Sequence, residues 1–175
     1  VGSLIGCAIK TTGALYCWGY NGSGELGIGN NTSQATPTQV GTDTDWAQVA
    51  VSTDENTSAV SQFACARKTG GSLWCWGNND EGQLGLGDFV ERNVPQQVGL
   101  DIDWTDIAVG GTHACGVQSV SGFLSCWGEG LYGKLGYGGA TSLDTPSAVS
   151  GTDWAKVRLG VNHSCALKTD GTLYC

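Results

Sequence analysis

Basic side chains are scarce in this 175-residue chain: 8 Lys and Arg stand against 16 Asp and Glu, for a formal net charge of −8. A nucleic-acid partner requires a cationic footprint to neutralise phosphates, and none is visible here. An anionic membrane surface is disfavoured for the same reason. No apolar run approaches the ~20 residues of a membrane-spanning helix, which argues against membrane insertion. Helical periodicity is weak throughout, so almost no helix is expected. Charged residues make up 14% of the chain and Pro occurs only 3 times, while Gly reaches 29 copies. That balance is neither disordered nor collagen-like. The length suffices for a single domain with a real core. The opening Val1-Gly2-Ser3 is no leader segment, and any targeting signal is expected upstream of it.

What the chain does have is repetition. Cys-Trp-Gly occurs at Cys17-Trp18-Gly19, Cys75-Trp76-Gly77 and Cys126-Trp127-Gly128, and Cys175 stands where a fourth would begin. Each is followed by a Gly-x-Leu-Gly-x-Gly stretch, from Gly24 to Gly29, Gly82 to Gly87 and Gly133 to Gly138. A segment centred on Pro37, Pro95 or Pro146 comes next, then an Asp-Trp pair at Asp45-Trp46, Asp103-Trp104 or Asp153-Trp154. Cys65, Cys115 and Cys165 close the cycle, with Cys7 as the earliest member; the period between them is 58, 50 and 50 residues. The eight extra residues fall within Ser52 to Gln62, an acidic, polar insertion containing Asp54, Glu55 and Asn56. A repeat of about fifty residues, with short strands and Gly-rich turns, reads as one blade of a β-propeller. The expected fold class is therefore all-β, and the expected domain is one partial propeller over residues 1–175.

Two cysteines flank a hairpin in each repeat. From Cys165 to Cys175 the centre of symmetry is Asp170, so a loop Thr169-Asp170-Gly171 sets Lys168 opposite Thr172 and Cys165 opposite Cys175. Such loops place Gly in the left-handed region, and Gly13 and Gly71 hold the equivalent position. The third repeat has a loop longer by one residue, with Gly122 near its end. Directly opposed cysteines on antiparallel strands lie within bridging distance. The expected pairs are Cys7–Cys17, Cys65–Cys75, Cys115–Cys126 and Cys165–Cys175. Free, buried, valine-like cysteines are the alternative. Without any Cys-x-x-Cys, zinc is not indicated. Persistent bridges imply an oxidising compartment, hence an extracellular or cell-surface location.

Catalytic chemistry needs a unique constellation, and nearly every conspicuous residue here is repeated. His113 and His163 share one repeat position and read as structural hydrogen-bonding groups. Asp45, Asp103 and Asp153 read as turn formers, although Asp43/Asp45 and Asp101/Asp103 leave a calcium site open. The Trp residues read as blade core, with sugar stacking as the alternative. The glycine-rich stretches lack the strand-before and helix-after context of a phosphate loop, and Leu26, Leu84 and Leu135 within them read as core. No cofactor and no enzymatic activity are expected. Asn-x-Ser/Thr sequons at Asn21, Asn30, Asn31, Asn56 and Asn162 imply nothing firm.

The unit from Cys75 to Gly87 resembles the repeat of the RCC1 (regulator of chromosome condensation) family. So do Gly160-Val161-Asn162-His163-Ser164-Cys165-Ala166-Leu167 and the turn at Gly171. The resemblance implies an RCC1-like β-propeller of four-stranded blades, commonly seven, of which this chain would hold about three and a half. Family members include a guanine-nucleotide exchange factor, a plant ultraviolet sensor and a secreted bacterial inhibitor of β-lactamases. A cysteine pair in every blade departs from the nuclear and cytosolic members. Half a ring would leave two raw blade faces, so a fragment of a longer chain is expected, or else an assembly of copies. The expected function is an exported protein-binding scaffold of adhesion, recognition or inhibitor type, with Asp54, Glu55 and Asn56 as the candidate binding loop. A subunit that polymerises into an extracellular fibre or sheath is the alternative, and an exchange-factor-like regulator a weaker one. The partners implied are another protein or further copies of the chain.

Overall fold

A computed structural model of the chain describes residues 4–52, 62–120 and 122–175. The candidate loop residues Asp54, Glu55 and Asn56 lie outside the described residues. Among the described residues fourteen short strands form four separate antiparallel sheets, and the only helix is a 3-10 turn at Leu131–Gly133. The first sheet holds β1 (Ile5–Ile9), β2 (Leu15–Gly19) and β3 (Gln34–Gln39). The second holds β4 (Trp46–Val51), β5 (Phe63–Lys68), β6 (Leu73–Gly77) and β7 (Arg92–Gln97). The third holds β8 (Trp104–Val109), β9 (His113–Gln118), β10 (Leu124–Gly128) and β11 (Leu143–Ala148). The last holds β12 (Trp154–Leu159), β13 (Ser164–Lys168) and β14 (Leu173–Tyr174). These are about three and a half blades of an RCC1-like propeller, with strands hydrogen-bonded in chain order.

β8 packs against both β4 and β12 across blades, and each is the first strand of its sheet, so the three line the inner end of the sheets. The core is accordingly not one ball but a set of slabs, each filled by two neighbouring blades. Phe63, Leu73, Leu84, Trp104, Ile107 and Trp127 fill the slab between the second and third blades. Ile5, Leu15, Leu26, Trp46, Ala66 and Trp76 fill the one before it. Strands buried on both faces explain why β5 and β10 read as near-continuous apolar runs instead of alternating ones.

All four bridges, Cys7–Cys17, Cys65–Cys75, Cys115–Cys126 and Cys165–Cys175, join facing strands of one hairpin, with Cα separations of 4.1 to 4.2 Å. No described cysteine is free. The hairpin glycine has a second duty beyond its left-handed backbone. A side chain on Gly71 (φ +85°) would collide with the Ile102 carbonyl of the loop entering the next blade. The Gly71 carbonyl in turn accepts the Trp104 N–H at 3.1 Å. Gly13 does the same for Trp46, and the Gly122 carbonyl accepts the Trp154 N–H at 3.2 Å, so each of the first three hairpin turns docks the next blade.

Candidate functional site

The glycine-rich stretches hold indoles, not anions. Trp76 Nε1 donates to the Glu25 carbonyl and Trp127 Nε1 to the Gln83 carbonyl, both at 2.9 Å and both from one blade to the blade before it. A Cβ on Gly27 or Gly85 would lie 2.8 or 2.7 Å from the ring, so each indole needs its glycine. Both rings are fully buried, with Trp46 and Trp104 packed edge-on against them at 6.3 and 6.0 Å. Leu26, Leu84 and Leu135 are buried as well. These tryptophans have no ring face left for a sugar.

The residue before each of those leucines is buried and polar, and each blade solves its burial differently. Gln83 Nε2 donates to Asn78 Oδ1 at 2.7 Å. Lys134, its side chain fully buried, meets Glu129 Oε2 at 2.5 Å and Thr112 Oγ1 at 2.9 Å. Burial alone would raise the Glu129 pKa, but hydrogen bonds from Lys134 and Thr112 hold it below the usual carboxylate range. Among the described residues no cation pairs with Glu25; burial pushes its carboxyl up, opposed by the Ser23 N–H at 2.9 Å.

His113 is buried, with Nε2 3.0 Å from Ser164 Oγ of the following blade. Burial, helped by the Lys134 cation, lowers its pKa to about 3. It is thus neutral and ties two blades together. His163, at the same repeat position, is exposed. The acidic pairs serve turns and ion pairs: Lys68 Nζ lies 2.6 Å from Asp43 and 3.1 Å from Asp45, while Asp103 accepts from the Val120 N–H at 3.1 Å. Among the described residues no group of three or more His, Cys, Asp or Glu converges on a point. Asn21, one of the sequon asparagines, is buried and holds its own glycine-rich loop through Asn30 and Thr32.

Sequence reasoning missed the clasp at the inner strands. Asp106 of β8 accepts from Gln48 of β4 at 2.9 Å, from the Val157 N–H at 2.9 Å and from Arg158 of β12 at 2.8 Å. One carboxylate thus joins three blades. The signal was faint: at one repeat position stand Gln48, Asp106 and Lys156, three different polar residues two positions after each Asp-Trp tryptophan.

Antiparallel blades, indoles handed from blade to blade and a hairpin turn under each inner strand recur from repeat to repeat. The profile of the regulator of chromosome condensation (RCC1) repeat matches residues 12–67, 70–117 and 121–167. The chain belongs to the RCC1 repeat family. It is 31% identical over 175 residues to the human E3 ubiquitin-protein ligase HERC2, covering 95% of this chain and 4% of that protein. To the ultraviolet-B receptor UVR8 of Arabidopsis thaliana it is 31% identical over 173 residues, covering 95% and 38%. The RCC1 chain therefore spans well under half the length of either relative. The crystal structure of human WBSCR16 superimposes with a TM-score of 0.82 at 25% identity, over 99% of this chain and 45% of that one. Prp20p of Saccharomyces cerevisiae, described with its binding to Gsp1p and histones, superimposes with a TM-score of 0.78 at 19% identity, over 95% and 42%. No helix among the described residues is long and apolar enough to cross a membrane.

Proposed function

We propose that this RCC1-repeat chain is an exported, non-catalytic protein-binding scaffold that works outside the cell or at its surface. The observation that carries the reading is one disulfide in each of the four blades, because such bridges form and persist in oxidising compartments and are rare in the cytosol. Protein partners are supported by the family, since the structure of Prp20p is described with its binding to Gsp1p and histones. A non-catalytic role is supported by where the titratable groups go: His113 is neutral between blades, and Lys134 and Glu129 neutralise each other. In this reading residues 1–175 act as one partial propeller, and the excess within 52–62, with Asp54, Glu55 and Asn56, is a contact loop set apart from the regular repeat.

Native material purified without reductant tests the proposal by thiol titration after denaturation, together with light scattering. The expected result is no reactive thiol and a discrete complex with a second protein at fixed stoichiometry. Eight free thiols would overturn export and favour an intracellular regulator. Open-ended assemblies of this chain alone would favour the fibre.

A further inference from the structure

The repeats serve as one another's controls, and one place on the surface breaks with its sisters twice. The loop entering the second blade reads Gly41-Thr42-Asp43-Thr44-Asp45-Trp46, and the loop entering the third reads Gly99-Leu100-Asp101-Ile102-Asp103-Trp104. Thr42 and Thr44 are exposed, as their polarity suits. Leu100 and Ile102 replace them and are 92% and 67% exposed. In the adjoining hairpin, Val120 is 89% exposed and Phe123 stands where the other repeats have Ala14, Ser72 and Thr172. Together they line a shallow depression of about 470 Å³. Nothing in the fold requires apolar side chains here, because the same loops elsewhere are built without them.

The second break is electrostatic. The repeat position that leads into the hairpin turn, three residues after the first cysteine, is Lys10, Lys68 and Lys168 in three repeats but Gln118 in this one. In the second blade Lys68 pairs with Asp43 and Asp45. In the third, Gln118 Nε2 reaches Asp101 and Asp103 at 3.1 Å each and brings no charge. Among the described residues no Lys, Arg or His lies within ion-pair distance of either carboxylate. Two carboxylates without a cation thus border an exposed apolar cluster, and they recur where a sister repeat is neutralised.

We propose that this face of the third blade docks a polypeptide segment that presents an apolar side chain flanked by Lys or Arg. The inference rests on the protein-binding reading above and deepens it by naming the surface and the chemistry of the partner. The apolar cluster supplies the anchor, and the incoming cation takes the neutralising role that Lys68 has in the second blade. Phosphate-bearing partners are repelled by the same carboxylates.

The probe is a fluorescein-labelled peptide with the core Lys-Leu-Arg-Phe-Lys, titrated by anisotropy against the full chain. Controls are a charge-reversed peptide, Glu-Leu-Asp-Phe-Glu, and an apolar-deleted one, Lys-Ser-Arg-Ser-Lys. The chain variants install what the sister repeats carry: Leu100→Thr with Ile102→Thr, and separately Gln118→Lys. Their melting temperatures and thiol counts verify folding. Saturable binding of the first peptide alone, weakened tenfold or more by each variant and by raised salt, is the expected result. No saturable binding, or equal affinity in all three chains, overturns the proposal. So does a doubling of native mass that the Leu100/Ile102 variant abolishes, since the occupant would then be a second copy. Should the whole-protein complex of the preceding section form equally with the variants, this surface is wrong while the scaffold stands. If no complex forms with any chain, the scaffold reading itself falls.

Discussion

Gly85 shows how much a single atom decides at the residue scale. Its φ of +71° is one most side chains avoid, and its missing Cβ is the space into which Trp127 fits. Gly85→Ala is expected to lower the unfolding free energy by about 2–4 kcal/mol, combining backbone strain with displacement of a fully buried indole. Urea unfolding followed by tryptophan fluorescence measures it; a loss below about 1 kcal/mol would mean that the blades separate without cost. His113 makes a second prediction. With its folded pKa lowered to about 3 by burial, from an ordinary 6.5, the folded state binds fewer protons than the unfolded chain below pH 6.5. Stability should be fully present above pH 6.5 and fall as pH drops towards 3, by up to about 1.4 kcal/mol per pH unit from this group. Between pH 6.5 and 5, His113→Gln should flatten that slope. An unchanged slope would show that the imidazole accepts a proton in the fold.

The hairpin is the unit at the scale of the element, and it was legible from spacing alone. A separation of ten positions between Cys65 and Cys75, with Gly71 near the turn, dictates the facing register observed between β5 and β6. The turn supplies the left-handed glycine and the register follows from strand alternation. Less legible was the irregularity at each Cys-Trp-Gly, where the pairing of β6 with β7 slips between Cys75 and Gly77. That bulge re-aims Trp76 at the preceding blade, and a bulge has no composition cue beyond its glycine. Replacing Cys65 and Cys75 together with Ala is expected to cost about 2–3 kcal/mol, the loop-closure value for a short loop. Differential scanning calorimetry reads this as a lowered melting temperature with unchanged far-ultraviolet circular dichroism. A variant that melts with the unaltered chain would place the hairpin's stability in its packing instead.

Over the whole molecule, the blades cohere through contacts between residues some fifty positions apart, and Asp106 is the polar centre of them. Asp106→Ala would leave the buried Val157 N–H without an acceptor and release Gln48 and Arg158. A cost of about 2–3 kcal/mol is expected, most of it from the stranded backbone donor and not from Arg158, whose side chain is 67% exposed. Hydrogen exchange should locate the loss at β8 and β12; protection lost evenly along the chain would contradict the clasp.

The all-β class, the blade as the repeating unit and the near-absence of helix were determined by the sequence alone, because each depends on spacings within about fifty residues and every spacing is stated three times over. Tertiary structure alone decided which side chains meet between blades. Gln48, Asp106 and Arg158 share a site because β4, β8 and β12 lie side by side at the inner ends of their sheets. Leu100 and Val120 share one because a loop entering a blade rests beside that blade's own hairpin. Periodicity says which residues are equivalent; only the stacking of one blade on the next says which of them touch.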